Sequence, residues 1–226
     1  ANISDSRGGF DLESGASMSI QSTTLIDNII GVWAKGSLSG EGLACESDTT
    51  SCLRVDVTVM LDDVSSTHSA EVIHIHGGGD ANVTLTSSVS DADVIVLDDG
   101  STFYGEVHAD GFNRLIRGSG SVTATIMPTE FSGGDILVEA DSLSGLLIPD
   151  AHCGTHCTVN SLITGSIEDV EFQSLYFTCE SDTPCIDAEV DGDLKFVGAW
   201  PSTEIYTNGT FARLRGTGAV YANQLS

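Results

Sequence analysis

The feature that most constrains this chain is a period-two alternation of apolar and polar residues, broken at short intervals by turn clusters. Runs such as Leu53-Arg-Val-Asp-Val-Thr-Val-Met60, Glu71-Val-Ile-His-Ile-His76, Asn82-Val-Thr-Leu-Thr86 and Ser121-Val-Thr-Ala-Thr-Ile126 put β-branched residues on one face of an extended backbone. Between such runs stand Gly77-Gly-Gly-Asp80, Asp98-Asp-Gly100, Asp110-Gly111, Gly133-Gly-Asp135, Asp191-Gly-Asp193 and Asn208-Gly209. These residues supply positive φ and local side-chain hydrogen bonds. No segment carries an amphipathic-helix stripe with caps. The pattern predicts an all-β chain of short strands, read as an antiparallel β-sandwich or jelly roll. A β-solenoid is the alternative. Gly118-Ser-Gly120 and Gly216-Thr-Gly218 suit its corners, but no repeat of about 20 residues is evident.

A longer repeat is evident. Cys45-Glu-Ser-Asp-Thr49 recurs as Cys179-Glu-Ser-Asp-Thr183, inside a cysteine pair each time. The same offset aligns Ile29 with Ile163, Gly31 with Gly165, Leu38 with Phe172 and Leu43 with Phe177. Arg117-Gly-Ser-Gly-Ser-Val122 also resembles Arg215-Gly-Thr-Gly-Ala-Val220. The matches suggest two related β halves packing as one domain: 23–128, then a connection and shorter half at 129–226. Residues 1–22 become an N-terminal extension, able to pair in its own sheet or to be donated as a strand to a neighbouring subunit.

Six cysteines fall into three close pairs, Cys45–Cys52, Cys153–Cys157 and Cys179–Cys185, as local disulfides of an oxidising compartment would. Sequons at Asn2, Asn82 and Asn208 offer glycosylation sites. The opening ANISDS reads as the start of a chain from which a leader or an initiator methionine has been removed. Together these place the chain outside the cell or at its surface. No run of 18 apolar residues spans a membrane. With 8 basic against 33 acidic residues, the formal charge of −25 excludes nucleic acid and disfavours anionic membranes. Only Lys35 and Lys195 are lysines; an acid-rich, lysine-poor surface suits high salt or bound calcium.

Three stretches have the residue types of a site. His152-Cys-Gly-Thr-His-Cys157 holds metal-ligand types, but adjacent residues on an extended chain face opposite ways, so a Cys153–Cys157 disulfide is expected instead. His74 and His76 alternate on one strand face and would ligate a metal given a third ligand, such as His68 or His108. Glu189, Asp191 and Asp193 alternate likewise and could hold calcium. Their Glu-x-Asp spacing is similar to that of paired carboxylates in sandwich-fold glycosidases, but Leu194 interrupts the continuation of that motif. No nucleophile elbow, P-loop, dinucleotide fingerprint or Cys-x-x-Cys motif occurs. Trp33 and Trp200 are expected in the core or in inter-sheet packing, and Arg117 and Arg215 are expected to pair with carboxylates.

The expected function is that of an extracellular structural subunit. It would assemble with copies of itself into a filament, surface layer or capsid-like shell, through the N-terminal strand, and would be no enzyme. It requires no cofactor, with calcium the expected ion. The alternative is a secreted binding module for carbohydrate, metal or protein, and a hydrolase ranks below both.

Overall fold

The computed structural model describes residues 2–4, 9–26, 29–46, 50–67, 69–87, 92–110, 113–130, 136–144, 146–148, 158–159, 161–173, 176–179, 184–197, 204–207 and 212–223. The N-terminal strands are β1 (Asn2–Ser4), β2 (Phe10–Leu12), β3 (Ser17–Ile26), β4 (Ile30–Ala34), β5 (Ser37–Cys45), β6 (Ser51–Val55) and β7 (Thr58–Ser66). There follow β8 (Glu71–Ile75), β9 (Asp80–Ser87), β10 (Asp93–Leu97), β11 (Thr102–Asp110), β12 (Arg114–Glu130), β13 (Ile136–Ser144) and β14 (Leu146–Ile148). The last are β15 (Thr158–Val159), β16 (Ser161–Gln173), β17 (Tyr176–Cys179), β18 (Ile186–Val197), β19 (Glu204–Thr207), β20 (Ala212–Arg215) and β21 (Ala219–Asn223).

Every described strand pairing is parallel. This overturns the antiparallel sandwich: the chain is a β-solenoid, the architecture held as the alternative. The turns explain the difference. His76–Gly79 joins β8 to β9, yet β8 pairs with β6 and β10 while β9 pairs with β7 and β11. The glycine cluster is therefore a corner between two walls rather than a hairpin. Gly77, Gly78 and Gly100 take φ of 63°, 80° and 76° to turn these corners, a region open to glycine at little cost.

The first wall stacks β2, β4, β6, β8, β10, the start of β12, β13, and the starts of β16 and β18, ending on β20. The second stacks β3, β5, β7, β9, β11 and the later part of β12, then β14, the later parts of β16 and β18, and β21. A short third sheet stacks β15, β17 and β19. One column of register partners runs the length of the first wall: Phe10, Val32, Leu53, Ile73, Ile95, Ile116, Val138, Ile163, Ile186 and Ala212. Its numbers step by 20 to 26 residues. The coil repeat that was not evident in the sequence is therefore present, in apolar position rather than in residue identity. The expected boundary at 128–129 falls within β12.

The core lies between the walls. Val32, Leu53, Ile73, Ile95, Ile116, Ile163 and Ile186 are fully buried, and the second wall's inner face adds Leu38, Leu43, Val59, Leu61, Val64, Val83, Leu85, Phe103 and Val107. The Cys45–Cys52 disulfide forms as expected (S–S 2.08 Å). Both its cysteines are buried, so it fills a corner of the core rather than capping a loop tip. Cys185 is likewise disulfide-bonded and buried; the side chain of Cys179, and all of Cys153–Cys157, lie outside the described residues. Near the N-terminus, β1 pairs with the Thr24–Ile26 end of β3, while β2 and the rest of β3 form the first described coil.

Candidate functional site

Period-two alternation, repeated coil after coil, arrays outward side chains in columns whose successive rungs are about 4.8 Å apart. The first wall carries a charged column. In register order it reads Asp11, Trp33, Arg54, His74, Val96, Arg117, Glu139, Thr164, Asp187 and Arg213. At the adjoining corner stand Glu13, Lys35, Asp56, His76 and Asp98. Among the described basic residues, only Lys195 lies away from this wall.

These charges close on one another. Lys35 Nζ lies 2.8 Å from Asp11 and 2.9 Å from Glu13. It stands 4.3 Å from the Trp33 ring centroid, where Arg54 also approaches to 4.7 Å. The Trp33 Nε1–H donates to Asp56 Oδ2 at 2.9 Å. The expectation that Trp33 is a core residue is therefore corrected: it is a half-buried rung of the outer face. Trp200 lies outside the described residues.

His74 and His76 share one face as expected, with ring centroids 5.8 Å apart. Asp98 bridges them, its Oδ1 3.2 Å from His74 Nε2 and its Oδ2 3.2 Å from His76 Nε2. His74 Nδ1 contacts Glu71 at 3.2 Å, and His76 Nδ1 is 3.8 Å from Asp56. The His74 hydrogen bond holds the Glu71 carboxyl below its ordinary range, with Ser51 and Arg117 assisting and burial opposing. Reciprocally, Glu71 and then Asp98 hold the His74 imidazole above its ordinary value, against desolvation. Arg114 grips Asp93 with two donors, at 2.8 and 2.7 Å, and reaches Glu139 at 2.8 Å. Arg117 and Arg215 pair with carboxylates as expected, Arg117 with Glu71 at 3.2 Å and Arg215 with Asp187 at 2.6 Å.

Among the described residues, no group of three or more His, Cys, Asp or Glu side chains is disposed to hold a metal ion. His108 lies on the second wall beside Glu106 (2.6 Å), and His68 is outside the described residues. Glu189, Asp191 and Asp193 straddle a corner. Glu189 is opposite Arg215 on the first wall, and Asp193 is opposite Ala219 on the second, 3.0 Å from Lys195. Asn2 is in β1 and Asn208 is outside the described residues, whereas Asn82 is exposed midway along the second wall.

That second wall has a different outer surface. One column runs Ser19, Ser39, Met60, Asn82 and Tyr104, flanked by Ser37, Thr58, Asp80 and Thr102 on one side and Gln21, Glu41, Asp62, Thr84 and Glu106 on the other. Met60 and Tyr104 are 60% and 45% exposed, unusually open for large apolar groups. Hydroxyls, amides, an accessible ring and several flanking carboxylates thus cover the outer face of this wall. Sequence reasoning missed this face and the acids of the ladder, because column neighbours sit about a coil apart in the chain. The available signal was a polar residue in the same place after each apolar run. The chain matches no family model, no curated protein and no solved structure.

Proposed function

We propose that the chain is an exported binding module whose second wall takes an extended, uncharged polysaccharide. The observation that carries this reading is the Met60–Asn82–Tyr104 column, an accessible aromatic and thioether on either side of an amide, with Ser and Thr hydroxyls beside it. A pyranose ring can lie on the Tyr104 ring while its hydroxyls meet Asn82 and the neighbouring Ser and Thr side chains. The net charge of −25 favours a neutral glycan over an acidic one. Buried disulfide-bonded cysteines support export. The first wall is the poorer candidate, since its charges already pair with one another. The N-terminal strand donation expected for a structural subunit loses support, because β1 is paired within its own sheet.

Co-sedimentation with insoluble cellulose, chitin and starch tests the reading. Binding to at least one is expected, and Tyr104→Ala should weaken it at least about tenfold, equivalent to about 1.4 kcal/mol. Failure to bind any of the three, or equal binding by the variant, overturns it. Intact-mass measurement of the exported protein is a second check, because a glycan on Asn82 would cover the face.

A further inference from the structure

The two ends of the solenoid are chemically matched. Among the described pairings, β2 and the Ser17–Gln21 part of β3 have a strand on one side only, and so do β20 and β21. We infer that a second copy of this chain stacks on the first, its β20 and β21 adding in parallel to β2 and β3 and continuing the coil from molecule to molecule.

Register supplies the argument. The columns of the first wall begin on Phe10, Asp11 and Leu12 and end on Ala212, Arg213 and Leu214. Continuing them across a junction sets Ala212 over Phe10, Arg213 over Asp11 and Leu214 over Leu12. One residue further, Arg215 meets Glu13. Within each molecule Asp11 and Glu13 hold Lys35, while Arg213 and Arg215 hold Asp187 at 3.3 and 2.6 Å. Stacking therefore extends a ladder of alternating sign: Asp187, Arg213, Asp11, Lys35. The reverse pairings, head to head or tail to tail, would oppose like charges and antiparallel strands.

The second wall agrees. Val220 continues the column of Leu194 and Val170, and Ala222 that of Phe196 and Phe172. On the opposite edge the corresponding inner positions are Ile20 and Thr23. Val220 and Tyr221 are 47% and 54% exposed at the C-terminal edge. Phe10, Met18, Ala212 and Leu214, at the ends of the solenoid, pack only partly against the core, as Val57 does between β6 and β7. Here β1 pairs with β3 from Thr24 onward, beyond Ser17–Gln21, the stretch that Ala219–Tyr221 would reach and that has a strand on one side only among the described pairings. Open β edges recruit strands, and a heterologous contact that does not close propagates as a filament. Stacking is independent of any glycan bound on the second wall.

Sedimentation velocity on the purified full chain tests the inference. Wild type should form species larger than the 23.5 kDa monomer, lengthening with concentration. Arg213→Glu with Arg215→Glu should weaken association at least tenfold, as should Asp11→Arg with Glu13→Arg in a separate chain. Mixing the two variants should restore assembly, since each reversed end then meets its complement. Val220→Glu gives a further check, should loss of the Lys35 contacts prevent the second variant from folding; it too should weaken association tenfold. A wild type that stays monomeric at every concentration overturns the inference. So does assembly unaffected by the Arg213/Arg215 or Val220 changes, or a mixture of folded variants that remains monomeric.

Discussion

Gly31 shows how closely one residue can be specified by its neighbours. A Cβ there would lie 2.4 Å from the Cys52 carbonyl oxygen, 3.0 Å from Leu25 Cδ1 and 3.1 Å from Cys45 Sγ. The missing side chain thus makes the seat of the disulfide. Gly31→Ala should cost about 1–3 kcal/mol through overpacking, read as a lower urea midpoint at unchanged slope. Replacing Cys45 and Cys52 together by Ser should cost about 2–3 kcal/mol, from the closed loop alone, and reducing agent should then no longer shift the melting temperature through this bridge. The Glu71–His74 contact carries a pH dependence. Glu71 is held below its ordinary 4.5, so its contribution is present above that pH and lost as pH falls through the folded-state value. His74 is held above its ordinary 6.5, so its contribution is full below 6.5 and lost as pH rises through the folded-state value. The pair stabilises most between those two values. His74→Gln should therefore shrink the stability lost on going from about pH 5.5 to about pH 9, compared with wild type under the same titration.

At the scale of the element, alternation determines which side of a strand is buried but not which strand lies beside it. β8 and β9 satisfy the period-two rule equally as a hairpin or as successive walls of a coil, and the Gly77–Gly79 turn serves either geometry. The strand type was therefore legible and the pairing was not. β10 illustrates what pairing adds. All five of its residues are buried, including Asp93, a carboxylate that alternation puts on the same face as the core residues Ile95 and Leu97. Asp93 is tolerated there because Arg114 and Asn113 donate to it and Arg117 Nε approaches to 2.9 Å. Among the described residues, removing Asp93 leaves Arg114 with Glu139 alone and Arg117 with Glu71 alone. Asp93→Ala should cost about 1.5–3 kcal/mol, measured by denaturant unfolding, and an unchanged midpoint would show that the ladder contributes nothing to stability. The two histidines were found on one face because they are two residues apart. Asp98, which joins them, is contributed by the next coil, and no local pattern could identify it.

Across the whole molecule, charge and topology act together. A formal charge of −25 on a rod-like coil stores repulsion that salt screens, since the Debye length falls from about 30 Å at 0.01 M to about 3 Å at 1 M. The melting temperature should therefore rise with added NaCl, and a flat response across that range would show that net repulsion does not limit stability. What the sequence determined by itself was the alternating strand, the glycine-bearing turn, the Cys45–Cys52 bridge and the surplus of acid, because each depends on residues close together in the chain. The tertiary structure alone decided that the strands run parallel, that the turns are corners, and that Trp33, Arg54, His74 and Arg117 stand in one column. Those contacts join residues about one coil apart, and their partners are selected by the burial of a continuous apolar column rather than by any local propensity.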